Sequence, residues 1–140
     1  MVDIVENNNY AELYNYLAVN KFKHLSDHNE IIYYATIYKF VNKDDTAGFV
    51  WLYNVDDGMY NVHMHIHDDY KGRTLTMHVV NKFYEMTSKY AAVLIADPID
   101  EYLIKLYKRI GWKQTSNHSS EIKLPYKWRK KYGISSKKIS

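Results

Sequence analysis

The stretch NVHMHIHDDYKGRTLTMHVV, Asn61 to Val80, changes its period midway, and the fold turns on that change. Its first part alternates, which puts Asn61, His63, His65 and His67 on one face of a strand ending near Ile66. Beyond the loop, Leu75, Val79, Phe83 and Met86 step by four, four and three, the period of a helix running to about Lys89. A strand-to-helix turn leaves the first helical amides without partners, and together with the helix dipole they form an anion site. Lys71 and Arg73 add charge at its rim, and Gly72 lets a ligand approach the backbone. The same residues also read as a basic turn capped by Thr74 and nothing more.

Working outward, Asp56-Asp57-Gly58 reads as a tight hairpin turn between a strand at Phe49–Asn54 and the strand Met59–Ile66. The polar run Asn42 to Asp45 turns the chain after Ile31–Phe40, which is a strand by its β-branched and aromatic composition. Asn9 caps a helix carrying Tyr10, Leu13, Tyr14 and Leu17, and Asp3-Ile4-Val5 forms a short first strand. The region before Ile31 therefore holds one full helix and a stub. On the other side, Ala91–Ala96 is a short apolar run suited to a strand buried on both faces. Asp97-Pro98 reads as a cap with proline at the first helical position, and Ile99, Leu103, Leu106 and Ile110 step as a helix that stops at Gly111. Trp112 to Lys123 holds one or two final strands. The expected fold class is α/β, a mostly antiparallel mixed sheet with helices on both faces and a crossover between the strands at Met59 and Ala91.

At 140 residues, 46% apolar and 25% charged, the chain is expected to form one domain over 1–124 followed by a basic tail, 125–140. The net charge of +3 conceals an asymmetry, because the tail carries +6 and no acid, leaving the rest at −3. The absence of cysteine excludes disulfides, thiolate metal sites and a cysteine nucleophile. There is no apolar run long enough to span a bilayer and no signal-peptide pattern, so a soluble, cytoplasmic protein without membrane contact is expected.

Two segments resemble the GNAT superfamily of acyl-CoA-dependent N-acetyltransferases. In that family a strand ends in a loop of the form Q/R-x-x-G-x-G/A that opens a helix, and Lys71-Gly72-Arg73-Thr74-Leu75-Thr76 occupies that place here. DEYLIKLYKRIGWKQ, Asp100 to Gln114, resembles the family's N-x-x-A-x-x-L-Y-x-x-x-G-F segment, with Asp100 at the Asn place, Tyr107 at the Tyr place and Gly111-Trp112 at the Gly-Phe place. The resemblance covers roughly Phe49 to Gln114. It implies acetyl-CoA as co-substrate, its pyrophosphate on the amides of Lys71, Gly72, Arg73, Thr74, Leu75 and Thr76, and its donor end oriented by the backbone near Ile66. It implies that Tyr107 protonates the departing thiolate; the other meaning of Tyr107 is a core tyrosine beside Leu103, Leu106 and Ile110. Both glycines of the family loop's second half are threonines here, Thr74 and Thr76, whose side chains either reach a phosphate oxygen or block it.

Acyl transfer to an amine needs a base, and histidine titrates near neutrality, so His63 and His65 are the candidates. Relatives commonly place the base six or four residues before the strand's last apolar position. Counted from Ile66, those places are Tyr60 and Val62, so a histidine comes round only with a bulge. The His63-x-His65-x-His67 array also has metal-ligand character, and Asp68 or Asp69 could add oxygen, but no distant ligands are evident and no metal is expected. Asp97 either caps a helix or orients the substrate amine. The tail interleaves aromatics with cations, as in Pro125-Tyr-Lys-Trp-Arg-Lys-Lys-Tyr, and is either a nucleic-acid arm or a solvated terminus.

The expected function is transfer of an acetyl group from acetyl-CoA to a primary amine of a macromolecule or small molecule. A second reading follows from the lost glycines and the tail. It is a phage-encoded GNAT-fold protein, either modifying DNA bases like the Mom proteins or non-catalytic and bound to nucleic acid or a virion partner. The composition leaves the oligomeric state open.

Overall fold

In the computed structural model, which describes residues 1–117 and 119–124, the chain runs β1 (Asp3–Glu6), α1 (Tyr10–Val19), α2 (Leu25–Tyr34), β2 (Thr36–Asn42), β3 (Asp45–Asp56) and β4 (Met59–Ile66). A 3₁₀ turn (Asp68–Tyr70), α3 (Met77–Thr87), β5 (Val93–Ala96), α4 (Glu101–Arg109), β6 (Lys113–Gln114) and β7 (Ser120–Lys123) follow. The strands form one seven-stranded sheet in the order β1-β2-β3-β4-β5-β7-β6. β4 and β5 are parallel, with α3 as the crossover between them, whereas β1–β2, β2–β3, β5–β7 and β6–β7 are antiparallel. This is the mixed α/β sheet that the alternation of periods predicts. The described residues divide into two compact units, Met1–Tyr53 with Met64–Val79, and Asn54–His63 with the described residues from Val80 to Leu124.

In the first unit, Leu13 and Leu17 of α1, Ile32 of α2, and Ile37, Phe49 and Trp51 of the strands make one buried cluster. Asn9 caps α1 as its sequence suggests, its side-chain oxygen accepting from the Glu12 amide at 3.1 Å. The expected strand Ile31–Phe40 needs correction. Residues through Tyr34 belong to α2, and the strand begins at Thr36. The helical penalty of isoleucine is small, and burying Ile32 to 1% exposure among Leu13 and Leu17 outweighs it. In place of one helix and a stub, the chain between β1 and β2 forms two helices of ten residues each, the second running past Ile31 to Tyr34. β3 also starts earlier than expected, at Asp45. Gly48 on β3 lies so close to β4 that a Cβ there would sit 2.3 Å from the carbonyl oxygen of His65.

In the second unit, Gly58 takes the positive φ of +69° that closes the hairpin, and its carbonyl accepts from the Ala92 and Val93 amides at 2.8 and 3.1 Å. That docks β5 against the start of β4 in the register Met59↔Val93. The helix after β5 begins later than expected. Asp100 is the cap, its carboxylate accepting from the Tyr102 amide at 2.8 Å, while Asp97 accepts from the Ser119 hydroxyl at 2.9 Å instead. Gly111 ends α4 with φ +96°; its amide donates to Lys108 and that of Trp112 to Tyr107, the paired bonds of a Schellman cap. The basic tail expected over 125–140 lies outside the described residues. Among the described residues no helix is long and apolar enough to cross a membrane.

Candidate active site

The loop leaving β4 is built around Tyr70. His67 caps the 3₁₀ turn, its Nδ1 accepting from the Asp69 amide at 3.1 Å, and the Tyr70 amide donates to the His67 carbonyl at 2.8 Å. The Tyr70 carbonyl then accepts from the Thr74 hydroxyl at 2.8 Å and from the Arg73 amide at 3.3 Å. Thr74 is 1% exposed, so the threonine at the first glycine place turns its side chain into the protein. Thr76 serves α3 in the manner of an N-cap, its hydroxyl accepting from the Val79 amide at 3.3 Å. Neither hydroxyl is aimed outward in place of the missing glycines. Gly72 adopts φ +84°, and nothing lies within 4 Å of the position its Cβ would take. Among the described residues the amides of Thr74, Leu75, Met77 and His78 take no hydrogen-bond partner, as expected where a loop opens a helix. Such a group of donors fits an anion.

The two cations at the rim are held locally. Lys71 Nζ lies 3.1 Å from the Asp68 carboxylate, and that contact holds Asp68 below the usual carboxylate range. Arg73 folds back, donating through Nε and a terminal nitrogen to the Asp69 carbonyl at 3.2 and 3.1 Å, with its guanidinium 4.7 Å from the Tyr70 ring centre. Both residues are exposed, where such contacts are weak.

On β4, Val62, Met64 and Ile66 are buried and His63 and His65 are half-buried between them, as strand alternation requires. In the first unit the Nδ1 of His65 is 2.9 Å from the Tyr16 hydroxyl of α1, and Phe22 packs edge-on against its ring at 6.1 Å. Burial and the nearby Asp68 carboxylate push the Tyr16 phenol well above its ordinary value, so Tyr16 stays protonated near neutrality. Among the described residues no group of three or more histidine, aspartate or glutamate side chains is placed to hold a metal ion.

In the second unit, Tyr107 is 1% exposed and packs on Trp112 at a ring-centre distance of 4.6 Å. Trp112 in turn donates its indole N–H to the Tyr84 hydroxyl at 2.9 Å. Burial first, and then the neighbouring Tyr84, drive the Tyr107 phenol far above its ordinary value, while burial pushes Tyr84 up to about 12. A phenol so placed keeps its proton near neutrality. Asp100 spends its carboxylate on the helix cap. The sequence marks neither Tyr16 nor Tyr70; both are lost among 15 tyrosines, and only the position of Tyr70 beside Lys71 could have drawn notice.

No protein-family model matches the chain, and no curated protein matches it significantly. Its structure is nevertheless similar to several solved ones. The Tetrahymena GCN5 structure aligns with a TM-score of 0.67 at 13% identity, over 89% of this chain and 96% of that one. A GNAT-family acetyltransferase from Staphylococcus aureus aligns at 0.62 and 14%, over 89% and 100%. An aminoglycoside acetyltransferase solved in complex with coenzyme A aligns at 0.63 and 14%, over 94% and 98%. At such identities the likeness is one of architecture, and it agrees with the mixed sheet and the strand–loop–helix described above: the chain has the fold of the GNAT acetyltransferases.

Proposed function

We propose that the protein is a GNAT-type N-acetyltransferase that moves the acetyl group of acetyl-CoA to a primary amine. The observation that carries this is the loop after β4: Thr74 buries its hydroxyl on the Tyr70 carbonyl, so the amides of Thr74, Leu75, Met77 and His78 are left for a diphosphate even without the family's glycines. Acetyl-CoA would supply the activated thioester carbonyl. The chain's own part is to bind and orient it. The loop amides hold the diphosphate, Lys71 and Arg73 add charge, and the backbone near Ile66 directs the donor end. The proton of the acceptor ammonium passes to a half-buried histidine of β4, His65 or His63, although the regular alternation of β4 leaves Tyr60 and Val62 at the places where relatives carry the base. Tyr107, protonated throughout the neutral range, donates to the departing sulphur. Asp100 acts on the site only through the start of α4. The inward turn of Thr74 favours this reading over a coenzyme-free, nucleic-acid-bound protein.

Calorimetry with acetyl-CoA tests it, followed by thiol release over a panel of primary amines. Saturable binding with amine-dependent thiol release is expected. No coenzyme binding, together with salt-sensitive DNA binding lost on deleting residues 125–140, would overturn it.

A further inference from the structure

We propose that Tyr70 is the positioning residue of the diphosphate loop, locking it to the turn between β2 and β3; this rests on the transferase reading above. Tyr70 reaches in three directions. Its hydroxyl donates to the Asp45 carboxylate at 3.1 Å and accepts from the Asn42 side-chain amide at 3.4 Å, residues at either side of the β2–β3 turn. Its carbonyl takes the Thr74 hydroxyl and the Arg73 amide, which shapes the turn from Tyr70 to Thr74. Its ring supports the Arg73 guanidinium. The residue is 8% exposed, so one buried phenol ties the exposed stretch Asp68, Asp69, Lys71, Gly72 and Arg73 to the β2–β3 hairpin. A loop held beforehand loses less freedom when its amides close on an anion, and that difference appears as affinity. Tyr70 does not itself need to touch the ligand.

Tyr70→Phe removes only the hydroxyl, keeping the carbonyl and the ring. Titration with coenzyme A should show its affinity lowered roughly three- to tenfold, the effect of one lost hydrogen bond acting through the loop. Asp45→Ala should match that loss, Asp45→Asn should restore most of the affinity because its amide oxygen still accepts, and the double variant Y70F/D45A should lose no more than either single one. Thermal unfolding run alongside separates positioning from bulk stability. A lowered melting temperature with unchanged coenzyme affinity would overturn the proposal, as would additive losses in the double variant. Should Tyr70→Phe not fold, the Asp45→Ala and Asp45→Asn pair decides alone, and equal affinities there refute it. Wild-type protein that binds no coenzyme A would bring down the transferase reading as well, whereas wild-type binding that Tyr70→Phe leaves intact would sink this inference only.

Discussion

Gly48→Ala probes the contact on which the β3–β4 geometry depends. The added Cβ would lie 2.3 Å from the His65 carbonyl oxygen and 3.0 Å from the Ile66 Cα, both backbone atoms that no rotamer can move. Ordinary contact begins near 3.4 Å, so the two strands would have to part by about 1.1 Å at this point. The neighbouring bond from the His67 amide to the Ala47 carbonyl, now 2.8 Å, would stretch with them. Overpacking of this kind costs about 3 kcal/mol. Loss of glycine's freedom in the unfolded chain returns about 0.5 kcal/mol. The net, about 2.5 kcal/mol, corresponds to a fall of roughly 10 °C in melting temperature at this chain length. Circular dichroism during thermal unfolding reads it directly. A variant melting within about 2 °C of the wild type would show that β3 and β4 are not packed as described.

Leu17→Ala empties a position of 0% exposure in the α1–α2 cluster, and about 3 kcal/mol of stability should be lost in chemical denaturation. Tyr107→Phe should leave coenzyme affinity within about twofold and lower turnover by roughly 10²-fold in a thiol-release assay, the scale of a lost proton donor; unchanged turnover would return Tyr107 to a purely packing role. His28 is held below its ordinary pKa by burial first and by His24 second, with Asp27 opposing. Its neutral form is favoured by folding, so its contribution is present above the unfolded value near 6.5 and is lost as pH falls through the lowered folded value. Denaturation midpoints should therefore decline between pH 7 and pH 5, and His28→Gln should flatten that decline.

What could be read along the chain was local. Asn9 and Gly111 declare the ends of α1 and α4 because a cap needs only its own neighbours. The switch of period between Ile66 and Leu75 declares strand, loop and helix for the same reason, and Tyr107 stands out through its spacing from Asp100 and Gly111. Cap positions with rivals were less legible: Asp97 and Asp100 are equal as capping residues, and only the Ser119 hydroxyl beside Asp97 settles which one starts α4.

The sequence by itself determined the order and type of the elements apart from α2, and the chemistry excluded by the lack of cysteine, since these depend on period and residue type. Tertiary structure alone decided that Ile31–Tyr34 is helical, because burial of Ile32 against α1 overrides a β-branched composition. It alone paired Tyr16 with His65, 49 residues away, and Tyr70 with Asp45, 25 residues away. It alone turned Thr74 inward. Contacts between distant residues depend on strand register and helix packing, which no local pattern encodes.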